Sequence, residues 1–139
     1  MTNNKPYSVT LQRTFLATSK SIFNLFQEGA IFKFTLADTI QYNFIVGGKF
    51  HLTFNNRGTI HGQFIEIKKD HLIIEWNVDG FQRPSELGTV VEVSFSEEKE
   101  ECLFTLIHKN IMQEEACAAK QRAWTEILVK VEQEIVNKN

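Results

Sequence analysis

Cysteine is scarce in this chain: Cys102 and Cys117 are the only two, and they share neither a C-x-x-C spacing nor a disulfide framework. Both read as reduced, buried small hydrophobes. Long apolar runs are missing too, since none approaches the ~18–20 residues that span a bilayer, and the opening Met1-Thr2-Asn3-Asn4-Lys5-Pro6 lacks the core of a secretory signal. A cytoplasmic protein without membrane insertion is expected. Nor is there a surplus of one charge, because 15 Lys and Arg are interspersed with 17 Asp and Glu for a formal charge of −2. Without a basic stripe to neutralise phosphates, a nucleic-acid partner is disfavoured. Tyrosine and tryptophan are rare, two of each, against twelve phenylalanines, so the apolar payload is large and mostly without hydrogen-bonding tips.

Catalytic and metal-binding patterns are also lacking. His51, His61 and His71 fall ten residues apart on successive strands, but no H-x-x-x-H, H-E-x-x-H or cysteine pair completes a site. His51 and His61 become cross-strand neighbours in only one of several registers, and sheet-surface histidine is the default reading. Glu66 and Glu75 fall on the solvent side of their hairpin, where nothing moves a carboxyl pKa toward neutrality. Cys117 has no adjacent base, and no serine or threonine stands in a readable His and carboxylate arrangement. No metal, cofactor or catalytic residue is assigned, and the chain reads as a non-enzyme.

What is present is patterning. The 139 residues make about one domain's worth of chain, residues 1–139, able to bury roughly two-thirds of the unfolded surface. Tyr7, Val9 and Leu11 alternate with Ser8, Thr10 and Gln12, which predicts a half-buried strand to Phe15. Thr18 or Ser19 can cap a short helix carrying Ile22, Phe23 and Phe26, which Gly29 stops. Residues 30–46 fit either a helical turn or an extended segment, and we expect a short helix there. After Gly47-Gly48, the alternation of Phe50, Leu52 and Phe54 ends at the turn Asn55-Asn56-Arg57-Gly58. A strand from Thr59 to Ile67 then pairs with Leu72 to Trp76. A two-residue Lys69-Asp70 turn would set Ile67 against Leu72, Ile65 against Ile74 and Gln63 against Trp76.

Val91, Val93 and Phe95 form a fifth strand after a polar loop through Asp79-Gly80 and Arg83-Pro84. With the acidic turn centred on Glu98-Lys99, Phe95 would oppose Cys102, Val93 Phe104, and Val91 Leu106, and His108 would point inward. Asn110 and Gln113 have capping-box spacing, which predicts a helix from about Ile111 to Val136. Its first half is thin, with Ala116, Ala118 and Ala119, and its second half carries Trp124, Ile127, Leu128 and Val131. Small residues bring a helix close to a sheet or leave room for something else.

Several segments together resemble the START-related, Bet v-like helix-grip domains of the SRPBCC superfamily, within the branch of activator of heat-shock protein 90 ATPase homologues. They are Arg13-x-Phe15-x-Ala17 with Ile22-Phe23, Gly47-Gly48, the run Gly62 to Ile67 with Leu72 to Trp76, Phe104-x-Leu106-x-His108, and Trp124-x-x-Ile127-Leu128. There are departures: Thr18-Ser19 replaces a proline, Phe23 replaces a tryptophan, Ala123 replaces a glycine, and a tryptophan-bearing segment has no counterpart between Glu28 and Val46. The resemblance implies an α+β fold in which a curved antiparallel sheet of about six strands grips the C-terminal helix, with one or two short helices after the first strand. It also implies a cavity between sheet and helix. Members of the wider superfamily bind lipids, sterols, hormones or polyketides, and some are cyclases or hydrolases.

The expected function is a binding module for a small hydrophobic or amphipathic molecule, working as a monomer or homodimer. Phe54, Trp76, Phe95, Phe104 and Trp124 would supply apolar wall, and Tyr42, Gln63 and His108 would orient the ligand. Each has a plainer reading: Trp76 and Trp124 as core packing, His108 as a satisfied core histidine, Tyr42 as a surface-loop tyrosine. Arg83 could screen an acidic head group, or simply be solvated. Two other classes stay open, a protein-interaction domain stimulating a chaperone ATPase and a cyclase-like or hydrolase-like enzyme.

Overall fold

A computed structural model describes residues 5–137. Its elements are β1 (Tyr7–Phe15), α1 (Ser19–Gln27), α2 (Ala30–Lys33), β2 (Thr39–Tyr42), β3 (Lys49–Phe54), β4 (Gly58–Lys68), β5 (His71–Gly80), β6 (Glu86–Glu98), β7 (Glu101–Ile111) and α3 (Glu114–Asn137). The strands form one antiparallel sheet in the order β1-β7-β6-β5-β4-β3-β2, and the long C-terminal helix packs on one face of it in the helix-grip manner. The sheet therefore has seven strands rather than about six.

The additional strand is β2. Within residues 30–46 only Ala30–Lys33 is helical, and Thr39–Tyr42 is extended along β3, with Ile40 opposite Leu52 and Tyr42 opposite Phe50. Four residues carry too little alternation to announce a strand, and the pairing comes from β3, whose edge would otherwise be unfilled. The turn between α1 and α2 is as its residues imply. Thr18 caps α1 by accepting from the Ser21 amide at 3.1 Å, and Gly29 follows with φ +79°, a conformation costly for a side chain. A Cβ at Gly29 would also stand 2.5 Å from the Tyr42 ring, so this glycine lets β2 dock on the helices.

Pairing registers differ from the sequence reading in two instructive ways. On β4, Ile67 does oppose Leu72, but Phe64 rather than Ile65 opposes Ile74, and Gly62 rather than Gln63 opposes Trp76. A bulge at Ile65 absorbs one residue, leaving Ile65 46% exposed and burying Phe64 completely. In the β6–β7 hairpin the turn centres one residue later, so Phe95 opposes Phe104, Val93 opposes Leu106 and Val91 opposes His108. That displacement slides each partner by two, which preserves every inward and outward assignment. His108 is accordingly fully buried.

At the C-terminal end, Asn110 belongs to β7 with φ +64°, and Ile111 is buried opposite Tyr7. The capping box is thus not formed, and α3 starts at Glu114, with Glu114 and Glu115 facing its positive end. It buries Ala116, Lys120, Trp124, Ile127, Leu128 and Val131, spaced by three and four along one face. It packs most closely on β1 and β7, while α1 leans on β6. Over β3–β5 the helix stands further off, and α2 and the loops share the cover.

A cavity walled by two tryptophans

Between α3 and β3–β5 lies an open cavity of about 330 Å³. Trp76, on β5, and Trp124, on α3, form its floor in mutual contact, with ring centroids 5.0 Å apart and planes at 51°. They form a tilted pair along one wall. Phe54, Ile60, Val78 and Ile127 continue the apolar wall, and Ala119 and Ala123 are where α3 supplies no bulk. The thin half of the helix makes this space.

A hydrogen-bond chain runs from the Trp124 ring to the Trp76 backbone. Trp124 Nε1 can only donate, and it gives its proton to His108 Nδ1 at 3.0 Å. His108 Nε2 must then carry the ring proton and donate it to Thr89 Oγ1 at 2.9 Å, and the Thr89 hydroxyl donates onward to the Trp76 carbonyl. Every donor in the chain is used. Burial, reinforced by the nearby Lys120 charge, pushes the His108 pKa down to about 3, so the ring stays neutral. Both of its nitrogens are committed, and it stands behind the tryptophans rather than on the cavity wall.

A second polar group is set into the same wall. Lys120 Nζ lies 2.8 Å from Glu86 Oε1, and Arg83 Nε lies 3.3 Å from Glu86 Oε2, with the Lys120 and Glu86 side chains each 7% exposed. Burial lowers the Lys120 pKa, with Glu86 pulling it back up and Arg83 adding to the fall. Glu86 reaches this face through a local irregularity. Val78 pairs with Glu86 and Trp76 with Thr89, so Asn77 alone spans Leu87 and Gly88, and Gly88 sits at φ +76°. Glu86 and Thr89, three residues apart, would face opposite sides of a regular strand, yet both are buried. Asn77 stabilises the bulge by accepting from the Gly88 amide at 2.6 Å.

Strained backbone lies at the rim. Leu36 lines the cavity with φ +67° and is 70% exposed, and Phe81 and Gln82 adopt φ +58° and +56° in succession. Such conformations are uncommon for side-chain-bearing residues and concentrate in ligand-contacting loops.

The residues read from sequence divide among several places. Phe54, Trp76, Trp124 and Arg83 line the cavity. Phe95 and Phe104 pack with Phe26 and Phe15 near α1, at the other end of the covered face. Gln63 faces Glu75 and Lys49 in neighbouring strands, one position away from the inward row of Gly62 and Trp76. Tyr42 lies against Phe32, outside the cavity lining, and gives its hydroxyl to the Gln27 carbonyl at 3.2 Å, which fastens β2 to α1. Among the residues of the cavity region that escaped the sequence reading are Glu86, Thr89, Lys120 and Lys130. For the first two the one available signal was Gly88, a glycine inside a strand pattern. A lysine on the buried stripe of a helix was the signal for Lys120.

Outside the cavity, His51 does sit opposite His61, with ring centroids 6.1 Å apart. Among the described residues no three His, Cys, Asp or Glu side chains converge as a metal site would require. On the outer face, His71 lies between Glu66 at 2.6 Å and Glu92 at 3.2 Å, and Lys109 reaches Glu92 at 2.6 Å. Desolvation works to lower the His71 pKa, but the hydrogen bonds to Glu92 and Glu66 outweigh it and raise the value. Cys102 and Cys117 are both free thiols. No helix among the described residues is long and apolar enough to cross a membrane.

Solved structures share the architecture. A protein from Mesorhizobium loti is 15% identical with a TM-score of 0.81, over 96% of this chain and 98% of that one. The Aha1 dimer from Colwellia psychrerythraea is 14% identical with a TM-score of 0.76, over 93% and 96%. An HSP90 activator from Plasmodium falciparum is 25% identical with a TM-score of 0.59, over 75% and 73%. No curated protein matches the sequence significantly. Residues 17–135 match the family model described as Activator of Hsp90 ATPase homolog 1-like protein, and with most of the sheet, α1, α2 and nearly all of α3 inside that match, the chain belongs to this family.

Proposed function

We propose that this protein is a non-enzymatic binding module of the cytoplasm, holding a small hydrophobic or amphipathic molecule between the sheet and α3. The supporting observation is the open, aromatic-floored cavity of about 330 Å³, a volume at the small end of ligand sites. Its floor is braced before any ligand arrives, because His108 anchors the Trp124 ring and that ring packs on Trp76, and a preformed site loses less ordering entropy on binding. Burying the ligand's apolar surface would contribute ~25 cal/mol per Å².

The two tryptophans of the sequence both border the cavity, so intrinsic fluorescence reports on it directly. Titration with fatty acids, sterols and flavonoids is expected to shift or quench that emission and to raise the melting temperature. A ligand at one hundred times its Kd adds about 2.7 kcal/mol of stability. A broad panel that moves neither signal would overturn this reading.

A second reading rests on the family match and on the similarity to the Plasmodium falciparum activator: an interaction domain that stimulates a chaperone ATPase. It predicts co-purification with a chaperone and faster ATP hydrolysis on addition of this protein. Such stimulation by a variant with a filled cavity would favour it over ligand binding.

A further inference from the structure

The charges around the cavity do not balance, and the imbalance specifies the ligand's polar end. Four cations line it, Arg57, Arg83, Lys120 and Lys130, together with one carboxylate, Glu126. Arg83 and Lys120 are already met by Glu86. Arg57 and Lys130 are not. Among the described residues neither forms an ion pair: the Arg57 guanidinium lies over the Phe54 ring, 5.5 Å from its centroid, and Lys130 Nζ donates to the Phe34 carbonyl at 3.1 Å. Glu126 is one helical turn before Lys130, yet the ammonium points to that carbonyl instead.

Building on the cavity reading, we infer that the molecule held here is an amphiphile with a single anionic head group, carboxylate or phosphate monoester, paired with Arg57 and Lys130 while its apolar tail lies on Trp76 and Trp124. The tail end offers no free charge, since its aromatic and aliphatic walls are interrupted only by Lys120 and Arg83, both already paired with Glu86. The cationic side chains supply long-range attraction as well as contact, because a cleft bordered by apolar walls focuses their field. Arginine over an aromatic ring keeps its fork of donors available to an incoming acid.

The test uses ten-carbon chains that differ only at the head: decanoate, decyl phosphate, decanol and decyltrimethylammonium, titrated below micelle formation with tryptophan emission as readout. Decanoate or decyl phosphate is expected to bind about tenfold more tightly than decanol, and decyltrimethylammonium more weakly than either. The tighter of the two acids identifies the head group. The advantage of the acids over decanol should shrink with added NaCl and vanish in the double variant Arg57→Gln, Lys130→Gln. Arg57 is exposed and Lys130 only half-buried, so the variant should fold, which its melting temperature checks. Equal binding of acids and decanol would overturn the head-group inference and leave the cavity reading standing. Failure of all four chains would overturn both.

Discussion

At one end of the helix-covered face, Phe15, Phe26, Phe95 and Phe104 pack ring to ring, with centroids 5.8 to 6.5 Å apart. At the other, Phe54 and the two tryptophans border a space of about 330 Å³. The sheet offers aromatic residues to both ends, so the sheet does not decide which end is filled. The helices do. α1 inserts Ile22, Leu25 and Phe26 into the first region, whereas α3 brings Ala119 and Ala123 to the second. Hollowness here is a property of small residues on a helix, beside an aromatic floor whose Trp124 ring is anchored to His108.

The sharpest way to break this comparison is to truncate one ring at each end. Phe104→Ala should cost about 3–5 kcal/mol, measured by urea denaturation, and Phe54→Ala less than half as much, because its ring already borders open space. Equal losses would show the two ends to be packed alike.

Acid should distinguish the ends next. The His108 pKa is lowered in the fold to about 3 from 6.5, so between those values the unfolded chain binds the proton and the folded chain does not. Stability contributed by neutral His108 is therefore present above pH 6.5 and lost as pH falls, by about 2–3 kcal/mol two units below it. The raised pKa of His71 acts in the opposite sense: its contribution is full below pH 6.5 and lost as pH rises through the higher folded value. Stability across a pH series should thus flatten on the acid side in His108→Gln, with little change there in His71→Gln. A His108→Gln profile that matches the parent would refute the neutral-histidine chain.

The smallest stability effect should accompany filling the hollow. Ala119→Leu is expected to stay within about 1.5 kcal/mol of the parent, since added methylenes enter space rather than packed atoms. The same change should abolish any tryptophan response to ligand. A loss comparable to that of Phe104→Ala would mean that the space is needed empty for folding itself.

Much of this was legible in the chain. Period-two alternation located six of the strands, the cap at Thr18 and stop at Gly29 located α1, and the inward direction of His108 survived an incorrect turn centre because strand faces repeat every two residues. Single-residue irregularities were not legible. The bulge at Ile65 hides because Phe64 and Ile65 are both apolar and either could face the core. The Leu87–Gly88 bulge turns Glu86 inward, and its buried charge is intelligible only when Lys120, thirty-four positions later, is placed across from it. Asn110 had the spacing of a cap, but its neighbour Ile111 gains more by burial in β7 than a helical turn would return. Phe95 and Phe104 were assigned to the ligand wall because alternation gives a side chain's face and not its position along the groove.

The two-residue slide tolerated by the β6–β7 hairpin has an evolutionary side. The tip can lengthen or shorten in ways that move β7 by pairs of residues, and inside stays inside. A slide of one would turn His108 to solvent, put Ile107 in its place and leave the Trp124 indole proton with no acceptor. The histidine therefore audits the hairpin's parity, and its loss should be felt first at the floor of the cavity rather than at the tip where the change was made.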